Sequence, residues 1–104
     1  MSLRSRTARV QSDIRLLATF TKGAAEVVDY RVDWTTWLRP LEDRISTSTV
    51  TAPGGITKDS DTSASRIQTA VISGGTAGTS YDVVFKIVTA QSRTEERTIR
   101  IGVV

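Results

Sequence analysis

The sequence contains no cysteine and no histidine among its 104 residues. Without cysteine there is no disulfide framework, no thiol nucleophile and no Cys-type zinc site. Without histidine the commonest general base and the commonest metal ligand are both missing. Ser-His-Asp, Cys-His and histidine-based metal chemistry are therefore excluded, and carboxylate-only catalysis is what remains to be weighed. Long apolar runs are also lacking: Val83-Val84-Phe85 falls far below the ~18 residues of a membrane-spanning helix. The stretch from Ile14 to Phe20 is too short and polar for a signal-peptide core, so no export by a signal of its own is expected. There is no 15-residue helical pattern, no internal repeat and no low-complexity block.

The formal charge is +3 and the pI about 9.8, but the charge is unevenly placed. Residues 1–22 hold Arg4, Arg6, Arg9, Arg15 and Lys22 against Asp13, a net of +4, which leaves −1 for the rest. The sequence thus divides into a basic N-terminal arm, 1–22, and a body, 23–104. Ile14, Leu16, Leu17 and Phe20 have a loose helical spacing without a strong capping box, which predicts an arm that is flexible or partly helical. A basic arm suits nucleic acid or a membrane surface. The plainer reading is a solvated leader, with Arg4, Arg6 and Arg9 as candidate partner contacts.

The body is β-patterned, with Thr, Val and Ile suited to a pleated surface. Val28, Tyr30, Val32 and Trp34 alternate with Asp29, Arg31 and Asp33, the pattern of a half-buried strand. Thr35 to Leu38 is read as a tight turn about one helical turn long, since Pro40 pushes Arg39 away from helical geometry. Residues 44–52 form a second strand with Ile45 inward, and Pro53-Gly54-Gly55 is a turn. Ile56 marks a short strand, followed by a polar loop at Asp59 to Ser63. Residues 66–72 place Ile67, Thr69 and Val71 on one face and Ala70 and Ile72 on the other, so both faces can be covered. Tyr81, Val83, Phe85 and Ile87 give the strongest strand, and Ile99, Ile101 and Val103 the last. The predicted core is Tyr30, Val32, Trp34, Ile45, Ile67, Val71, Val83, Phe85, Ile87, Ile99 and Ile101. Short strands at roughly 8–12-residue spacing predict an all-β sandwich of about seven antiparallel strands.

Three features invite a chemical reading. The first is the glycine-rich segment Ser73-Gly74-Gly75-Thr76-Ala77-Gly78-Thr79-Ser80-Tyr81. A phosphate loop needs Lys-Ser or Lys-Thr after its last glycine, and a dinucleotide fingerprint must open a helix; this segment does neither. It suits instead a tyrosine corner built on Gly78 and Tyr81, with the phenol packed inward and its hydroxyl bonded to nearby backbone. The second is Asp29 with Asp33, four residues apart on one strand and hence about 13 Å at ~3.3 Å per residue. That exceeds the spacing of either glycosidase mechanism. The third, Asp59-Ser60-Asp61-Thr62, has an Asp-x-Asp pair but not the rest of a calcium loop, and Asp is common in turns. No catalytic residue, cofactor or metal site is expected. Trp34 is read as core. Trp37 is either core edge or an exposed contact, because Trp is enriched at interfaces. Arg93, Glu95 and Arg97 read as a solvated hairpin tip open to a partner.

One resemblance adds to this reading. Asp29-Tyr30-x-x-Asp33-Trp34-x-x-Trp37-Leu38, Asp43-x-Ile45-x-Thr47-Ser48, the Ser73–Tyr81 segment, Thr89, and Arg93-x-x-Glu96-Arg97-Thr98-Ile99 resemble the phage fiber-tail adaptor proteins of tailed phages and prophages. The likeness spans about residues 20–104, and its glycine-rich segment is the most specific part. It implies an immunoglobulin-like β-sandwich and a non-enzymatic virion structural protein that joins tail or fiber subunits through protein–protein contacts. It further implies a homo-oligomer in the assembled particle, synthesis in the host bacterial cytoplasm, and no membrane partner. Alternatives are an Ig-like binding module of carbohydrate or adhesin type, for which only Trp37 offers an aromatic platform, or nucleic-acid contact through the arm, the less favoured reading.

Overall fold

The computed structural model describes residues 3–10 and 15–104. Strands run over Leu3–Arg9 (β1), Leu16–Lys22 (β2) and Val27–Asp33 (β3). One helical turn, Thr35–Leu38 (α1), continues into a 3-10 turn at Arg39–Leu41. Ile45–Thr51 (β4), Ile56–Ser63 (β5), Ile67–Gly74 (β6), Ser80–Thr89 (β7) and Thr94–Val103 (β8) complete the chain. Two four-stranded sheets result, in the orders β1-β3-β6-β5 and β2-β8-β7-β4, with one shared core.

The expectations for strand number, for the arm and for the stretch after Ile56 need correction. The described residues form eight strands, and two of the pairings, β1 on β3 and β2 on β8, are parallel. Where it is described the arm is strand and not helix: it contributes one edge strand to each sheet. Its ladder partners lie far along the chain, Leu3 opposite Val27 and Leu16 opposite Thr98, so no local pattern announces them. The polar stretch after Ile56 is also strand, because β5 pairs with β6 through Ser63, with a bulge between Lys58 and Ser60.

Strand periodicity explains the core. In β7 and β8 alternate residues Tyr81, Val83, Phe85 and Ile87, then Ile99, Ile101 and Val103, are buried. Val28, Tyr30, Val32 and Trp34 face them from the other sheet. Ile45 is half-buried at the core margin. Phe20 of β2 and Tyr30 of β3 meet at a tilt across the two sheets, ring centres 5.5 Å apart.

β6 has the opposite phase to the one predicted. Gln68, Ala70 and Ile72 point into the core, whereas Ile67 and Val71 are only half-buried on the outer face. Both faces are apolar, so the deciding residue is Gln68. Its side-chain carbonyl accepts the Trp34 indole N–H at 2.7 Å, and its amide donates to Ser48 Oγ and the Lys86 carbonyl, each at 2.9 Å. A buried amide so bonded avoids the cost of an unpaired polar group. Ala70 lies directly opposite Tyr30, a small residue against a large one, which fills the layer without overpacking.

Candidate functional site

The two ends of the sandwich gather the residues that the sequence singles out. At one end is the glycine-rich loop. Gly74, Gly75 and Gly78 have φ of +76°, +95° and +87°, a region that residues with a Cβ rarely enter. The loop turns its donors toward the protein. Thr76 N–H donates to the Tyr81 hydroxyl at 3.0 Å, Gly78 N–H to the Val103 carbonyl at 2.7 Å, and Thr79 N–H to the Thr76 carbonyl at 3.1 Å. Amides engaged in this way are not aimed at an anion. The Tyr81 ring lies between Gly55 and Gly75, where an added Cβ would come within 3.0 and 3.3 Å of ring carbons. The hydroxyl thus returns to backbone five residues upstream while the ring is packed between two glycines. Hydrogen bonds from Thr76 hold the phenol below its ordinary pKa.

Lys22, the last residue of β2, is fully buried beneath this loop. Its ammonium donates to the carbonyls of Gly74 at 2.6 Å and Gly23 at 2.9 Å. Burial lowers its pKa, while Glu26 and Asp59 act in the other direction. The amine ties the end of β2 to the glycine-rich loop.

At the other end, charge and aromatic rings interlock. Asp33 accepts the Thr35 N–H at 2.9 Å, which starts α1 and turns Trp37 back onto Trp34. The two indoles meet edge-on, centres 5.5 Å apart. The Arg93 guanidinium lies 4.2 Å from the Trp37 ring centre, and that of Arg97 5.6 Å from Trp34. Asp43, 1% exposed, accepts from the backbone N–H groups of Arg44 and Gln91 and from Arg93 Nε at 3.0 Å. Burial alone would raise its pKa, but the bonds from Thr89, Arg44, Arg93 and Gln91 outweigh this and bring it to about 2. Arg97 bonds Glu95 at 3.0 Å, and Glu95 also receives Arg15 at 2.7 Å.

These contacts change the standing of the candidate partner residues. Arg97 is 1% exposed, not a solvated tip residue, because its stem and head fit between Trp34 and Glu95. Trp37, Arg93 and Glu95 are half-buried and already engaged within the chain. Arg9 is exposed on β1, Arg6 is half-buried opposite Tyr30, and Arg4 pairs with Val28 along the backbone. The acidic candidates are separated. Asp29 lies 3.8 Å from Arg31, Asp59 accepts from Ser73 Oγ at 2.9 Å, and Asp61 pairs with Lys58. Among the described residues no group of three or more acidic side chains is placed to hold a metal. Asp43 and Lys22 are the hubs that composition and periodicity miss. A charged residue reads as surface until its distant partners are known.

An open groove on the outer surface is lined by Pro53, Gly54, Ser80, Tyr81, Asp82 and Arg100. Arg100 and Asp82 cross it as a two-bond pair, at 2.8 and 3.2 Å. The sheet edges differ. β5 carries Lys58, Asp59 and Asp61, and β1 carries three arginines, whereas β4 carries no charge at all. No helix among the described residues is long and apolar enough to cross a membrane.

The fold is an all-β sandwich, and the described polar clusters at its two ends are engaged within the chain. The model of one family, described as podophage GP4 fiber-tail adaptor protein gp77, matches residues 22–102, and the chain belongs to that family. No curated protein matches the sequence. Among solved structures, an endo-fucoidan hydrolase of glycoside hydrolase family 107 is similar over 86% of this chain, with a TM-score of 0.61 and 15% identity. The matched part is 13% of the hydrolase chain, and the likeness concerns the fold alone.

Proposed function

We propose that this chain is a non-enzymatic structural part of a phage or prophage virion, joining tail and fiber subunits through protein–protein contacts. The observation that carries this reading is the family match across residues 22–102, which takes in both ends of the sandwich. The absence of Cys and His from the sequence agrees with it, as do acidic side chains that are apart or paired. We read the sandwich as Ig-like. The orders β3-β6-β5 and β8-β7-β4 correspond to the B-E-D and G-F-C arrangements of that fold, with β2 running parallel along the last strand.

The joining surface is a sheet edge or loop, since the aromatic and charged clusters are engaged internally. The uncharged β4 edge suits strand addition by another subunit, because charged edges resist such pairing. The test is genetic and structural together. Deleting this gene from an inducible phage should give filled heads with tails that lack fibers, as seen by electron microscopy and by mass spectrometry of purified particles. Fully fibered, infective particles without the protein would refute the reading.

A further inference from the structure

β1 and β2 are both edge strands held by one parallel neighbour, but they differ in their place in the chain. β1 lies wholly outside the family-matched region, which begins at Lys22. It pairs with one neighbour, β3, in parallel over seven residues from Leu3↔Val27 to Arg9↔Asp33, and Val10 extends the ladder by donating to the Asp33 carbonyl at 2.9 Å. A parallel pair has no tight turn to fix it. The covalent tie from β1 leads to β2, in the opposite sheet, and only then to β3.

Its anchor is thin. Of residues 6–10 only Ala8 and Val10 are buried; Thr7 and Arg9 are exposed and Arg6 is half-buried. The seat is also imperfectly satisfied. Among the described residues, Asp29 Oδ1 and Tyr30 Oη are buried without a hydrogen-bond partner, on opposite faces of β3 at the positions that pair in register with Ser5 and Arg6 of β1. Unpaired buried polar atoms weaken whatever structure contains them. A seven-residue backbone ladder together with the buried Ala8 and Val10 seats β1, and such a ladder accepts the same strand from within the chain or from another copy.

We propose that β1 is an exchangeable strand: the β1 of one copy seats on the β3 edge of a second copy, in the parallel register seen here. The occupant is defined by the structure itself, because this segment already fits this edge. Exchange of identical elements reuses the same contacts, so its cost is confined to reorganising the connection. The proposal concerns contact of the chain with itself and does not depend on which tail subunits it meets.

The absence of cysteine makes a direct test available. Thr7 and Arg31 are register partners and both are exposed, so Thr7→Cys and Arg31→Cys each install one thiol at the edge. The two single variants are mixed at high concentration, incubated, diluted and oxidised. Exchange predicts a covalent Thr7→Cys with Arg31→Cys heterodimer at a yield several-fold above a control mixture of Thr7→Cys with Thr62→Cys, whose thiol lies on the far edge strand β5. Sedimentation of the unmodified chain should show a dimer that grows with concentration. A heterodimer no more abundant than the control, with the unmodified chain monomeric throughout, overturns the proposal. So does a Thr7→Cys/Arg31→Cys double variant that closes only within single chains at every concentration.

Discussion

The two ends of the sandwich are fastened by different physics. The glycine-rich end is fixed by backbone geometry: positive φ values, a ring wedged between Gly55 and Gly75, and a buried amine on two carbonyls. The aromatic end is fixed by side-chain charge, with Asp43, Arg93, Arg97 and Glu95 arranged around two indoles. Backbone geometry is indifferent to salt and acid but intolerant of a single added methyl. Charge networks tolerate small changes of shape but respond to protons. Each end should therefore fail under a different insult.

The largest effect is expected at Gly75. Alanine there would hold a strained φ of +95° and place its Cβ 2.7 Å from Val103 Cγ2. Strain and overpacking together should cost about 3 kcal/mol, read as a lower urea midpoint with an unchanged slope. Gly54→Ala, in the neighbouring turn with nothing within 4 Å, is the control. It should stay within ~0.5 kcal/mol of the parent, as surface substitutions do. Equal losses at both positions would mean that the glycine-rich end is not geometrically fixed.

Acid and alkali should separate the ends next. The folded pKa of Asp43, about 2, lies below its ordinary 3.8, so the folded state holds the proton less tightly than the unfolded chain. Its contribution is complete above pH 3.8 and disappears as pH falls through about 2. Asp43→Asn should be less stable at neutral pH and should lose this part of the acid transition. Lys22 works in the opposite range. Its folded pKa is lowered from 10.5, so between the two values the unfolded chain binds more protons and stability rises with pH. Lys22→Met should flatten that alkaline rise and leave the acid limb alone. Both follow from denaturation midpoints measured across pH, and a variant that altered the limb assigned to the other end would break the comparison.

Much of the fold could be read from the residues because it is local. Alternation in β3, β7 and β8 is set by neighbours two apart, and the glycines around Tyr81 carry their turn chemistry in one short segment. The phase of β6 could not be read, since Ile67 and Val71 compete with Ala70 and Ile72 and the choice rests on Gln68 finding Trp34, Ser48 and Lys86. The arm was hidden for a related reason. Its arginines dilute the apolar pattern, and its partners lie some 24 and 82 residues away, as Leu3↔Val27 and Leu16↔Thr98 show. Arg97, Asp43 and Lys22 look like surface residues in sequence. Each is buried because carbonyls, carboxylates or rings from distant segments surround it.

The smallest effect tests where the charge network ends. Arg15 is 68% exposed at its side chain, yet it bonds Glu95 at 2.7 Å, while its backbone carbonyl accepts the Thr98 N–H at 2.7 Å. The backbone bond keeps the start of β2 on β8 whatever the side chain does. Arg15→Ala should therefore cost about 0.5 kcal/mol or less, as exposed pairs do, and the difference should vanish in high salt because solvent screens it. Arg97, held in the interior by the same Glu95, should be insensitive to that salt. A loss at Arg15 that persists in high salt would mean that the arm is fastened to the aromatic end through a desolvated chain of charges, and that strand β2 depends on side chains as much as on its ladder.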